Sequence, residues 1–179
     1  MDTYDLIIVG SGPAGLGAAF AYLDRRPEGK VLILEKERYS TGGLRNDCKM
    51  NFTYPIGFPE EYWDKEQADR YLEEVIRNLK PEFMEKQNLS IYSHRAEKLG
   101  VTLLEVRQSH LGTDGGLELI KTLLSRLEER GAEIHLEETV QDVHPEERRI
   151  FTDKGEYQYQ DLIIAPGRKG FSFLQRLMK

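Results

Sequence analysis

The sequence contains few features that would assign it to a disulfide-stabilised, membrane-spanning or nucleic-acid-binding class. Cys48 is the only cysteine among 179 residues, so no intrachain disulfide can form, which fits a reducing cytoplasm. The longest apolar runs, residues 6–9 and 162–165, are far shorter than the ~20 residues that span a bilayer. The net charge is −6 and the basic residues are dispersed, so neither nucleic acid nor a membrane span is expected. We therefore expect a cytoplasmic globular protein.

Residues that typically bind metals or carry thiol chemistry are also scarce. The four histidines and the lone cysteine lack the spacing that is typical of metal ligands, so no metal site is predicted. A relay that passes electrons through a disulfide needs two cysteines and is therefore excluded within one chain. We interpret Cys48 as an ordinary loop cysteine, with a reactive thiolate beside Arg45 and Lys49 as the alternative.

The residues that are present predict an α/β fold. Residues 6–9 and Val31–Leu34 are continuously apolar, which is typical of strands buried on both faces of a parallel sheet. Residues 13–24 lie between them and predict a helix, with Pro13 in the first turn, where a missing N–H costs little. A strand, a helix and a strand within about 30 residues form a βαβ unit, for which we expect a right-handed crossover.

The rest of the chain extends this pattern. Turn-forming segments within residues 139–160 predict a three-stranded antiparallel β-meander, and residues 40–59 lack any period and predict a long functional or disordered loop. Together these features predict a Rossmann-like doubly wound parallel sheet with a β-meander, in a single domain over residues 1–179. The remaining predicted elements are helices over Lys65–Leu79 and residues 113–130 and 171–178, short strands over residues 89–92 and 101–105, and core strands over residues 133–136 and 161–165.

A glycine-rich segment, GSGPAG, separates the first predicted strand from the first predicted helix. Gly10, Gly12 and Gly15 have G-x-G-x-x-G spacing, which permits a tight turn, the close approach of a ligand, and close packing of helix on strand. Free N–H groups at the helix start attract a diphosphate. Glu35 ends the second strand, 20 positions after Gly15, where it would accept hydrogen bonds from ribose hydroxyls. The segment predicts a dinucleotide site, and its acidic residue favours FAD or NAD over NADP.

The same region resembles the FAD site of the glutathione-reductase-like flavoproteins. The resemblance rests on GSGPAG, in which Pro13 and Ala14 occupy the variable pair, on LEKE, which places Lys36 after the ribose-binding acid, and on the pair Gly42 and Gly43. It implies that FAD is the cofactor and that these residues are among its contacts.

The second half of the chain carries a matching resemblance. In those flavoproteins a three-stranded meander returns to a strand that ends in an Ala-Thr-Gly-like turn, and DLIIAPG is similar, with Ala165 and Gly167 flanking Pro166. The family also reads the adenine edge with the backbone of a residue after the third core strand, which corresponds to Val140 here. The resemblance therefore implies that Val140, Ala165 and Gly167 contact the cofactor.

A narrower resemblance concerns the chemistry. The segments GG…CKMNF and SHLGTDGG are similar to parts of a poorly characterised group of FAD-dependent dehydrogenases, which carry a GG…DGKL loop and a HIGTD motif. The resemblance implies flavin-dependent hydride transfer to a substrate that the sequence does not identify, with NAD(P)H or another molecule as electron donor. It also makes Lys49 and His110 candidate catalytic residues; the alternative for Lys49 is an ordinary solvated lysine.

Two features that usually complete such flavoproteins are missing from this sequence. The last predicted strand is followed neither by the usual C-terminal Gly-Asp segment nor by a substrate domain, so the chain resembles the N-terminal part of a larger flavoprotein. Two alternatives stay open. One is an NAD-binding domain without flavin; the other is a non-catalytic or incomplete FAD-binding subunit, completed by a second chain or by a homo-oligomer through the apolar tail.

Overall fold

The computed structural model describes residues 2–39 and 49–178, and the chain groups into two compact units. The first unit comprises residues 1–46 and 113–179, and the second comprises residues 47–112. The second unit is therefore an insertion in the sequence of the first. Gly42, Gly43 and Cys48 lie outside the described residues, so the predictions made for them stay predictions.

Among the described residues, the first unit contains six strands and three α-helices, and the second unit contributes two short strands and two helices. Short 3-10 turns lie at Pro145–Glu147 and Arg168–Gly170. In chain order the elements are β1 (Asp2–Val9), α1 (Pro13–Arg25), β2 (Val31–Leu34), β3 (Lys49–Asn51), α2 (Lys65–Leu79), α3 (Leu89–Glu97), β4 (Gln108–His110), α4 (Gly112–Glu129), β5 (Glu133–His135), β6 (Val140–His144), β7 (Arg149–Thr152), β8 (Glu156–Ile164) and α5 (Phe171–Leu177).

The first unit is built on a six-stranded sheet with the order β5-β2-β1-β8-β7-β6. Four neighbouring strands of this sheet are parallel, namely β5, β2, β1 and β8. The strands β6, β7 and β8 form the antiparallel meander. The predicted meander and the predicted final strand over residues 161–165 join in β8, because this strand pairs with β7 near its start and with β1 along its length. The predicted fold class is confirmed.

Both faces of the parallel sheet are covered, which explains why its strands are apolar without interruption. One face packs against α1 and α4, and the other packs against the meander and α5. Neighbouring residues of a strand point to opposite faces, so β1 and β2 supply side chains to both layers. The helix-side layer includes Leu6, Ile8, Val31 and Ile33, and the meander-side layer includes Ile7, Val9, Leu32 and Leu34.

The predicted helix boundaries hold for the longer helices. Asp64 caps α2, because its carboxylate accepts the Gln67 N–H at 2.8 Å. The helix α4 ends shortly before Gly131, which has a φ of +87°, a conformation that favours glycine. Within residues 2–39 and 49–178, no helix is both long enough and apolar enough to cross a membrane.

The second unit differs most from its prediction. Residues 89–92 belong to α3 rather than to a strand, and residues 101–105 form no strand. The strand in this region is β4, which pairs with β3. A short apolar run does not by itself distinguish a helix from a strand. In addition, α3 has no buried residue, so burial imposes no helical periodicity on its sequence. The interpretation of both runs as strands was wrong.

Candidate functional site

An open cavity of about 920 Å³ lies in the first unit, at the carboxyl ends of β1, β2 and β8. The strands β2 and β8 lie on opposite sides of β1, so the chain changes direction here, and such a switch point is where open α/β sheets bind ligands. Nine of the predicted cofactor residues line this cavity: Gly10, Gly12, Pro13, Ala14, Glu35, Lys36, Val140, Ala165 and Gly167.

Glycine occupies the three motif positions for different structural reasons. Gly10 has a φ of +102°, and a Cβ there would lie 2.3 Å from the Ala165 carbonyl oxygen. A Cβ on Gly15 would lie 2.0 Å from the Gly10 carbonyl oxygen. Gly12 is different, because among the described residues a Cβ there would meet nothing within 4 Å, although the residue lines the cavity. Packing of the chain therefore accounts for Gly10 and Gly15, whereas Gly12 leaves open space on the cavity side.

The start of α1 faces this space without a polar side chain to cap it. Gly12 is the N-cap, Pro13 follows it, and the first turn contains no acidic residue. The N–H groups of a first helical turn have no partner within the helix, and the helix dipole places partial positive charge there. This end of α1 is suited to bind an anionic group.

Glu35 is held in a fixed orientation beside the glycine loop. The residue is 5% exposed, and its Oε2 accepts the Ser11 N–H at 2.9 Å and the Ser11 hydroxyl at 3.0 Å. Its Oε1 accepts the Glu37 N–H at 2.9 Å. A carboxylate offers about four acceptor positions, so one remains for a donor in the cavity. Sequence reasoning missed Ser11, which occupies the variable position between two motif glycines.

A basic group of side chains forms another part of the cavity lining, and sequence reasoning missed it. Arg168, Lys169 and Arg176, which we call the cationic wall, follow β8 in the 3-10 turn and in α5. Lys169 Nζ lies 3.1 Å from Glu37 Oε1. The signal in the sequence is the position of Arg168 and Lys169 directly after the APG turn. These residues belong to no motif that the sequence analysis used.

A buried polar network supports the side of the cavity that contains Val140. The Glu138 side chain is 3% exposed; its Oε1 accepts hydrogen bonds from Thr152 at 2.6 Å and Tyr157 at 2.8 Å, and its Oε2 lies 3.0 Å from His135 Nδ1. Burial, and then the hydrogen bond to Glu138, raise the pKa of Tyr157. Since every group is paired, the network fixes the turn that leads into β6.

The two candidate catalytic residues lie in the second unit. Lys49 and His110 are direct partners in the antiparallel pair of β3 and β4. Side chains at directly opposite positions project from the same face of such a pair. The structure thus brings the two candidates together, although neither lines the cavity described above. Their catalytic role stays a prediction.

Comparison with known proteins gives structural matches alone. No family model and no curated protein matches the sequence. NikD, an unusual amino acid oxidase essential for nikkomycin biosynthesis, matches with 19% identity and a TM-score of 0.60, over 99% of this chain and 55% of that one. L-Amino acid deaminase from Proteus myxofaciens matches with 17% identity and a TM-score of 0.59, over 100% and 49%. Glycine oxidase from Bacillus cereus matches with 15% identity and a TM-score of 0.63, over 97% and 58%.

This chain shares its fold with these solved oxidases and with the deaminase. The comparisons therefore confirm the predicted resemblance at the level of the fold. This chain spans about half the length of the solved relatives that it matches. Since fold alone does not define activity, the reaction and the substrate have to be argued from the site.

Proposed function

We propose that this chain is the FAD-binding part of a flavin-dependent oxidoreductase. The observation that carries the proposal is Gly12. Its two companions in the motif are required by contacts within the chain, whereas a Cβ on Gly12 would enter open space that borders the cavity. A glycine at this position is explained by a ligand that approaches the backbone closely.

The neighbouring residues fit the other parts of such a cofactor. The uncapped start of α1 suits the diphosphate, and the remaining acceptor position of Glu35 suits a ribose hydroxyl. Val140 and Ala165, at the start of β6 and the end of β8, line the same cavity and fit the contacts that the resemblance implies. The proposed roles of Gly42 and Gly43 rest on the resemblance alone.

The proposed reaction is hydride transfer. FAD, when bound, supplies the two-electron chemistry, and the protein binds it, orients it and limits the access of water. We propose Lys49 and His110 as the residues that contact the substrate or stabilise negative charge in the second unit. Because the matched relatives include amino acid oxidases and a deaminase, amino acids are the first substrate class to assay, with NAD(P)H as a separate electron donor.

Absorbance of the purified chain is the first test of this function. We expect flavin bands, and heat release of FAD rather than FMN. A colourless chain that takes up NADH but no FAD would support the alternative of an NAD-binding domain, to which Glu35 is equally suited.

A charge placed at Gly12 tests whether the ligand occupies the predicted space. We expect Gly12→Asp to abolish FAD binding, because the new carboxylate would occupy the diphosphate position. Gly17→Asp is the matched control: it makes the same change in α1, where a Cβ also meets nothing within 4 Å, but Gly17 does not line the cavity. Unchanged FAD affinity in Gly12→Asp would refute the assignment of the glycine loop.

A further inference from the structure

The cationic wall is held at the cavity by close backbone packing. The Gly10 loop and Ala165 are so close that a Cβ on Gly10 would overlap the Ala165 carbonyl, and a Cβ on Gly170 would lie 2.2 Å from the Pro166 ring. The start of the basic segment is therefore packed directly beside the glycine loop. The two loops follow the parallel neighbours β1 and β8, so they emerge at the same edge of the sheet.

The far end of the segment is positioned by α5. Phe173 packs against the meander-side core and also lines the cavity. The Arg176 guanidinium lies 5.8 Å from the centre of the Phe173 ring, within the range of a cation–π contact. Arg176 is thus positioned by contact with Phe173, which itself packs against the core.

Some charged side chains around the cavity have partners within the protein, whereas two arginines form no salt bridge among the described residues. The buried acids Glu35 and Glu138 already accept hydrogen bonds from the protein, and Lys169 is paired with Glu37. Within the part of the chain that the structure describes, neither Arg168 nor Arg176 forms a salt bridge, although the charge of Arg176 contributes to the lowered pKa of Asp142. Two guanidinium groups are therefore available on one wall of a cavity that also contains the uncapped start of α1.

We propose that Arg168 and Arg176 bind the diphosphate of the dinucleotide together with the glycine loop. This inference rests on the proposed function, since it assigns further residues to the same cofactor. A guanidinium donates two parallel hydrogen bonds to phosphate oxygens and stays charged at every physiological pH. The backbone N–H groups of α1 and the two arginines would then share the two negative charges of the cofactor.

The test is the affinity of the whole chain for FAD, measured by quenching of flavin fluorescence at low and high ionic strength. We expect Arg168→Gln and Arg176→Gln each to weaken FAD binding about tenfold, the loss of one charge-assisted hydrogen bond. The FAD affinity of the double variant should depend less on salt than that of the wild type. The reason is that the variant lacks two of the positive charges whose attraction to the diphosphate is screened by salt. ADP, which keeps the diphosphate, should lose affinity by the same factors.

Two further variants separate this contact from general effects of charge. Arg168→Lys and Arg176→Lys keep the charge, and we expect them to recover part of the affinity. Arg25→Gln, at the exposed end of α1 and away from the cavity, should change neither the affinity nor its salt dependence. Circular dichroism establishes that each variant is folded.

The outcomes for the inference and for the proposed function are distinct. If the wild type binds FAD and the folded double variant binds it with the same affinity and salt dependence, the inference is overturned while the proposed function stands. An equal loss in Arg25→Gln would also overturn the inference. A wild-type chain that binds no FAD would contradict the proposed function itself.

Discussion

Lys169 Nζ lies 3.1 Å from Glu37 Oε1, and this ion pair joins the loops that follow β8 and β2. Because β1 lies between those strands, the pair passes over the carboxyl end of β1, where the glycine loop begins. Its side chains are 65% and 43% exposed. Water and salt screen such a pair, so its place at the cavity matters more than its contribution to stability.

We expect Lys169→Gln to lower the free energy of unfolding by less than about 1 kcal/mol, as is typical of exposed ion pairs. Urea denaturation at low and high salt measures this. Lys121→Gln is a matched control, since Lys121 forms a comparably exposed pair with Glu118. A much larger loss in Lys169→Gln than in the control would show that the pair is needed to hold the two loops together.

Alanine substitutions should separate the three glycines of the loop into two classes. For Gly10→Ala and Gly15→Ala we expect a loss of about 2–4 kcal/mol in stability, because the new Cβ would overlap backbone atoms and Gly10 has a positive φ. Gly12 has an extended conformation, with a φ of −73°, and open space around it. We therefore expect Gly12→Ala to change the stability by less than about 1 kcal/mol.

The affinity for FAD should change in the opposite order. Gly12→Ala would place a methyl group in the proposed diphosphate position, and we expect at least about a tenfold loss of affinity in a stable protein. Urea denaturation without FAD and fluorescence titration with FAD measure the two effects independently. A Gly12→Ala variant that is as unstable as Gly10→Ala would indicate that all three glycines serve packing alone.

The sequence predicted the first unit well, for a physical reason. The strands β1 and β2 are buried on both faces, so their composition alone marks them, and the glycine motif lies between a strand and a helix that follow each other directly. The cationic wall was missed because its relation to the glycine loop depends on the pairing of β1 with β8, which are separated by most of the chain.

The second unit was predicted less well, because little of it is set by burial. The helix α3 has no buried residue, and β3 and β4 have three residues each, too few to show an alternating pattern. The meander was predicted from its turns rather than from its strands. The position of Glu35 followed from spacing, whereas its partners Ser11 and Glu37 required the folded loop.

Glu35→Gln tests how strongly the carboxylate holds the glycine loop. A glutamine keeps one oxygen, so at least one of the N–H donors of Ser11 and Glu37 would face an NH2 group in a buried position. We expect a loss of about 1–3 kcal/mol in stability, the usual effect of leaving a buried donor unsatisfied. Urea denaturation measures it, with Glu28→Gln on the exposed loop after α1 as control.

The response of NADP provides a second measurement on the same residue. The negative charge of Glu35 should repel a 2′-phosphate, so we expect Glu35→Gln to reduce the preference for cofactors without that group. If wild type and variant discriminate equally between NAD and NADP, the carboxylate does not face the ribose.

Glu133 gives a stability contribution that depends on pH. Burial acts to raise its pKa, but hydrogen bonds from Tyr4 at 2.8 Å and His135 at 2.9 Å outweigh burial, so the pKa lies below the ordinary value of 4.5. The ionised form is therefore favoured in the folded state. Its contribution is complete above pH 4.5 and is lost as the pH falls through the lowered pKa of the folded state.

We expect Glu133→Gln to lower the melting temperature at neutral pH, and the difference from the wild type to shrink as the pH falls below 4.5. Thermal unfolding across this range, followed by circular dichroism, measures the difference. Glu156→Gln is the control, because Glu156 is exposed and is not among the groups that act on Glu133. A difference that stayed constant with pH would show that Glu133 acts through packing or a neutral hydrogen bond, and not through its charge.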